Sequence, residues 1–168
     1  MVRLWTPKAQ ADRAMLLSWA EERLSSTVFS RNGTALPGKE VGSGALPVAV
    51  MRGDKIAAVI IYHQHRGASL EMTNAADTPR WATKGVIAEL LSYPFEVLGC
   101  RRIEAIVRAD NVRARRFDEG IGFEQEGIMR EKFEDCDGIM YSLTKRDWLG
   151  SRWHRIWQDR HAIQEEAA

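Results

Sequence analysis

Two apolar and β-branched runs, Ala45 to Arg52 and Lys55 to His65, are separated by nothing but Gly53-Asp54. A two-residue link carrying glycine fits the tight turns that join antiparallel strands, so these runs form a hairpin. Arg52-Gly53-Asp54 also spells an integrin-binding tripeptide, but the turn alone accounts for the glycine. A third strand, Ala68 to Asn74, follows a turn at Arg66-Gly67.

Around the hairpin the periodicity changes. From Lys8 to Leu24, Ala11, Met15, Leu16, Ala20 and Leu24 recur near helical spacing with charged residues between them, which predicts an amphipathic first helix. Ser25 to Gly44 is rich in glycine and serine, contains Pro37 and has no period, so it reads as a long loop. Lys84 to Leu98 has the length and spacing of a helix, bent near its end where Pro94 removes a backbone hydrogen bond. Arg102 to Arg108 alternates as a strand, and Asn111 to Glu119 is a short polar helix closed by Gly120 and Gly122. Phe123 to Phe133 and Ile139 to Thr144 form a closing hairpin over Asp137-Gly138. With Val2 to Trp5 as an edge strand, this order predicts an α/β (α+β) fold, a central mixed, twisted sheet with helices on both faces.

A chain of 168 residues suits one compact domain, here 1–148, followed by a helical extension at 149–168. Lys and Arg number 24 against 23 Asp and Glu, so the net charge of +1 gives no global attraction to nucleic acid or to an anionic membrane. Cys100 and Cys136 lack CxxC spacing and read as free thiols in a reducing compartment. The start lacks the apolar core of a signal peptide, and no run of about 18 apolar residues occurs, which makes the cytoplasm the expected location.

The segment richest in chemistry is Arg80-Trp81-Ala82-Thr83-Lys84-Gly85-Val86, between the third strand and the next helix. A helix start leaves backbone N–H groups unpaired and carries partial positive charge, a setting for a pyrophosphate. Gly85 would admit close approach, and Arg80 and Lys84 add charge; a capped helix start with two surface cations is the plainer reading of the same residues. His63 and His65 alternate about Gln64 and could face a metal together, but no third ligand accompanies them and no metal is expected.

This segment resembles the pyrophosphate loop Q/R-x-x-G-x-G/A of the GCN5-related N-acetyltransferases, matching at Arg80 and Gly85 and departing at Thr83, where the family usually has glycine. The stronger likeness lies in Asn111-Val-Arg-Ala114-Arg-Arg116-Phe-Asp-Glu119-Gly-Ile-Gly122-Phe123. It is similar to the N-x-x-S/A-x-R-x-x-E-x-x-G-F signature of the ribosomal-protein alanine acetyltransferase branch, and Glu126-Gly127 with Arg130 continue that branch's E-G-x-x-R. The likeness spans about Ala45 to Trp148. Trp81 and Tyr93-Pro94-Phe95 resemble small acetyltransferases of tailed bacteriophages.

The resemblance implies transfer of an acetyl group from acetyl-coenzyme A to an amine, on a protein or a small molecule, by direct attack. It implies a donor lodged between the strands Ala68 to Asn74 and Arg102 to Arg108, its pyrophosphate on Arg80 to Val86 and a side-chain contact from Asn111. Glu71 is the candidate general base, since family members often place a carboxylate there. The family's proton-donating tyrosine, seven positions after the asparagine, is replaced by Asp118, leaving Tyr141 as a distant candidate acid. These departures keep a rival reading open, a non-catalytic module of the same fold that acts by binding.

Leu149, Trp153, Ile156, Trp157 and Ile163 fall on one stripe of a C-terminal amphipathic helix. Three readings of it stand: packing on the domain, contact with a second copy or a partner, and a membrane or nucleic-acid surface, the last disfavoured by Glu165-Glu166.

Overall fold

The computed structural model describes residues 2–24 and 45–166. The long loop expected at Ser25 to Gly44 lies outside the described residues. The elements are β1 (Val2–Trp5), α1 (Gln10–Glu21), β2 (Leu46–Arg52), β3 (Lys55–His63), β4 (Ser69–Ala76), α2 (Lys84–Ser92), β5 (Arg102–Arg108), α3 (Val112–Ile121), β6 (Glu124–Met129), β7 (Gly138–Thr144), α4 (Lys145–Gly150) and α5 (Arg152–Glu166). The strand order is β1-β2-β3-β4-β5-β7-β6, and the class is the mixed-sheet α+β arrangement expected from the element order. The chain divides into two compact units, Met1–His65 with Glu71–Ala82, and Arg66–Leu70 with Thr83–Ala168.

In the first unit the expected hairpin forms, with Gly53 at φ +59 in its turn and Arg52 facing Lys55. Both strands are buried along most of their length, with β1 and β4 pairing antiparallel along their edges and α1 packed on them. One face carries Ala49, Met51, Val59 and Ile61, which pack with Leu16, Leu17 and Ala20 of α1. A 3-10 turn at Pro79–Trp81 packs against β2 and β3, with Trp81 5% exposed. Of the residues expected on the α1 stripe, Ala11 and Met15 are exposed, and Leu17 takes the inward place beside Leu16.

β3 ends at His63, and Gln64 has φ +52. The alternation that would have set His63 and His65 on one face is therefore broken. The described residues contain no cluster of three or more His, Cys, Asp or Glu able to hold a metal.

In the second unit β5, β7 and β6 pair antiparallel. The helix expected over Lys84 to Leu98 is α-helical only to Ser92 and continues as a π-helical turn, Tyr93–Val97. Pro94 lacks an N–H to donate, so the ladder widens instead of kinking outward, and Pro94 and Phe95 are both buried. β6 ends at Met129, earlier than expected, because Glu131 takes φ +53 and its N–H bonds the Asp137 carboxylate at 2.8 Å.

The C-terminal stripe is split between two helices, since Ser151 is extended at ψ 160 and separates α4 from α5. Leu149 and Ile163 are consequently exposed, whereas Trp153 is buried and donates its indole N–H to the Ile121 carbonyl at 2.8 Å. α5 packs on α2, which is the first of the three readings of this segment. Phe95, Trp148, His154, Trp157 and His161 follow one another as an aromatic ladder with ring centroids 4.6–6.0 Å apart. Trp148 is fully buried and bonds Glu96 through its indole N–H at 2.8 Å.

Removing a buried indole leaves a cavity, so Trp153→Ala should cost about 3–5 kcal/mol of unfolding free energy, whereas Ile163→Ala should stay within about 0.5 kcal/mol of the parent. Urea titration of the two variants checks this. Equal midpoints would mean that α5 contributes no packing.

Candidate functional site

The start of α2 has the local chemistry expected of it. Thr83 is the N-cap, extended at ψ 155, and its hydroxyl accepts the Val86 N–H at 3.4 Å, while its carbonyl accepts the Ile87 N–H at 2.9 Å. Lys84 and Gly85 are the first helical residues, and their N–H groups have no intrahelical partner. No acidic residue occupies the first turn to neutralise the positive helix end. Thr83, where the resembled loop has glycine, therefore serves as a hydroxyl cap with extended geometry that any residue adopts.

Gly85 has an unexpected neighbour. A Cβ built there would lie 2.6 Å from the guanidinium Nη1 of Arg160, the flexible tip of an exposed side chain on α5. The second unit thus brings a second cation, beside Lys84, onto the positively polarised first turn of α2. The sequence could not disclose it, because Arg160 looks like any other solvated arginine on a helix face.

The remaining expected residues divide by environment. Arg80 is exposed and Ala82 half-buried, both in the first unit with Trp81; Val86 is buried in the second. With Trp81 and Val86 both buried, their side chains are packing groups, and the Val86 N–H is already given to Thr83. Asn111 lies in the short turn after β5, its N–H on the Arg108 carbonyl at 3.0 Å, and caps α3, its side-chain oxygen accepting the Ala114 N–H at 3.1 Å. Its amide NH2 is the part of the side chain that can donate to a ligand. Glu71 is half-buried on β4, directly opposite His63 in the β3–β4 register. His63 in turn lies 2.9 Å from the Thr73 hydroxyl through Nε2.

Tyr141 is unsuited to donating a proton to a reacting group. It is fully buried and gives its hydroxyl proton to Glu119 at 2.8 Å while accepting from Arg115 at 3.1 Å. Burial pushes its phenol above the ordinary value. Arg115 also donates to the Ala109 carbonyl at 3.2 Å, so the three side chains bind α3 to β7 and to the end of β5. Arg115 and Glu119 stand four apart on one helix face, the spacing that signals such a pair in sequence; what was not legible is the tyrosine between them.

Asp118 is 3% exposed on the same helix. Burial first, and the charge of Glu119 second, raise its carboxyl to about 7.

Searches against known proteins agree with this architecture. No family model matches the chain. YdaF of Bacillus subtilis, assigned as a ribosomal N-acetyltransferase, is 34% identical over 77 residues, 41% of this chain and 42% of that protein. The uncharacterized N-acetyltransferase YoaA of the same organism is 41% identical over 64 residues, 36% of each chain. The match therefore spans about two-fifths of these relatives or less. Among solved structures, one assigned as an acetyltransferase of T. thermophilus is 26% identical with a TM-score of 0.66, covering 96% of this chain and 93% of the other. The spermidine/spermine N-acetyltransferase SpeG of Vibrio cholerae superposes with a TM-score of 0.68 at 17% identity over 89% of this chain and 98% of its own. RimJ of Mycobacterium smegmatis, solved with CoA-disulfide, gives 0.63 at 19% over 92% and 87%. The fold is that of the acetyltransferases. Within them it is the GCN5-related N-acetyltransferase type that the Asn111 to Phe123 motif resembles, and the partial sequence relatives are N-acetyltransferases as well.

The Asp118 carboxyl gives a pH test. An unfolded aspartate releases its proton near pH 4, so the stability associated with the protonated native form is complete below about pH 4 and is lost as pH rises through about 7. Asp118→Asn cannot ionise and should gain in melting temperature over the parent between about pH 5 and pH 8. Parallel pH profiles for the two proteins would show that Asp118 titrates normally.

Proposed function

We propose that this chain is a cytoplasmic N-acetyltransferase that moves the acetyl group of acetyl-coenzyme A onto an amine. The observation that carries the reading is the likeness to the T. thermophilus acetyltransferase along nearly the whole of both chains. The first turn of α2 supports it, with two free N–H groups, Lys84 and no competing carboxylate, which suits a pyrophosphate oxygen. Asn111 offers its amide NH2 to the donor. The cytoplasm is supported by two unpaired cysteines.

In the proposed reaction the neutral amine attacks the thioester carbonyl carbon and the amide C–N bond forms as the C–S bond breaks. The coenzyme departs as its thiolate and takes up a proton, while Glu71 accepts the proton shed by the amine. The acceptor is a protein N-terminus, a lysine or a small amine. SpeG is named for spermidine and spermine and YdaF for the ribosome, and both kinds of acceptor present an amine.

Acetyl-coenzyme A should raise the melting temperature progressively with concentration, and thiol release should follow when an amine is supplied. An unchanged melting curve at saturating donor overturns the donor assignment; binding without release from a panel of amines favours the non-catalytic module. Gly85→Val should abolish the donor-induced shift while the protein stays folded, since the group displaced is the flexible end of Arg160. Glu71→Gln should lower turnover by about 10²–10⁴-fold with donor affinity retained. Full turnover in that variant would remove Glu71 from the base role.

A further inference from the structure

A cavity of about 720 Å³ opens in the second unit at the starts of β4 and β5 and the end of β7. Its floor is fixed by backbone bonds. The Ala68 carbonyl accepts the N–H of Arg101 at 2.7 Å and of Arg102 at 3.2 Å, and the Arg101 carbonyl accepts the Lys145 N–H at 2.8 Å. These three strand ends cannot separate without breaking those bonds.

Four cationic residues line the cavity, Arg101, Arg102, Lys145 and Arg146, with the small neutral residues Ala68, Ser69 and Thr144 between them. No carboxylate lines it. Arg102 is already neutralised, by Glu104 at 3.0 Å and Glu126 at 2.6 Å. Ser142 also donates to Glu126 and, with Arg102, holds its carboxyl below the ordinary value, so that carboxylate stays committed to the clamp. The other three cations are not matched in this way. Lys145 gives its ammonium to the neutral Phe95 carbonyl at 3.0 Å, Arg146 meets only Asp147 at 3.6 Å with its side chain 90% exposed, and Arg101 is exposed with no ion pair among the described residues.

We propose that this cavity is a binding site for a small polyphosphate-bearing anion. Its volume lies in the range of small-ligand sites and far exceeds the needs of a single ion. Two guanidinium forks and an ammonium, spaced around a rigid floor, match oxygens spread over several phosphate groups better than one carboxylate. The site is separate from the Asn111 contact proposed for the acyl donor. Arg102 begins β5 and Asn111 lies in the turn at its other end, so six strand steps of about 3.3 Å put the two roughly 20 Å apart. The proposal stands whether or not the chain transfers acetyl groups.

The experiment is calorimetric titration of the full chain with inorganic tripolyphosphate, with ATP and with citrate, each with and without saturating acetyl-coenzyme A. Tripolyphosphate or ATP should bind in both conditions, and the affinity should fall at least tenfold in Arg101→Ala/Arg146→Ala, two exposed positions whose loss leaves the fold intact by circular dichroism. Tighter binding of tripolyphosphate than of ATP assigns the site to free polyphosphate, and the reverse order to a nucleotide; either supports it. Absence of binding, equal affinity in the double variant, displacement by acetyl-coenzyme A, or citrate binding as tightly as the phosphates would each overturn it. Gly85→Val serves as the control. It should lose the donor-induced melting shift and keep tripolyphosphate binding, so that failure of one site is not mistaken for failure of the other.

Discussion

The arrangement of the second unit depends on the burial of one side chain. Trp148 lies fully out of solvent against Phe95, with its indole N–H satisfied by Glu96. A large ring of this kind contributes several kcal/mol when buried and costs nearly as much if its N–H is left without an acceptor. Because Phe95 and Glu96 belong to the π-helical turn and Trp148 to α4, the contact joins the end of the α2 segment to the chain leaving β7. α5 begins just beyond α4's tryptophan, and the ladder through His154, Trp157 and His161 carries it along α2. The last step places Arg160 beside Gly85.

Two kinds of polar order support this packing. The Arg115–Tyr141–Glu119 chain uses both the donor and the acceptor of the buried Tyr141 hydroxyl, where an unmatched polar group would be costly. The cations around the first turn of α2 and at the base of β5 are the opposite case, being held in place by backbone but only partly neutralised. Structural networks close on themselves; sites retain capacity for a ligand. That contrast separates Tyr141 from the acid role and leaves Lys84, Arg101 and Arg146 as groups with charge to offer.

Much of the fold was legible because its signals are local. The hairpin over Gly53-Asp54, the strand at Arg102 to Arg108 and the glycine stop of α3 at Gly122 each follow from residues within a few positions of one another. Pro94 correctly marked a disturbance, although sequence could not decide between a bend and a widened turn, a choice made by the burial of Phe95. The stripe of Leu149, Trp153, Ile156, Trp157 and Ile163 looked continuous because periodicity does not register a break in ψ at Ser151. The parts of the site that were missed are long-range: Arg160 approaches Gly85 from 75 positions away, and Arg101 meets Lys145 from 44, so no window along the chain contains either pair.

The π-helical turn has a consequence for how this chain tolerates insertion and deletion. Each residue of an α-helix advances the side-chain direction by about 100°, and a π turn absorbs one surplus residue without lengthening the axis by a full step. The segment Tyr93–Val97 can thus be read as an α-helix carrying one residue too many. Deleting a single residue there would let the ladder rewind to the ordinary pitch and turn Phe95 away from Trp148. A one-residue indel, tolerated in most surface connections, would here act as a rotation of everything that the tryptophan anchors.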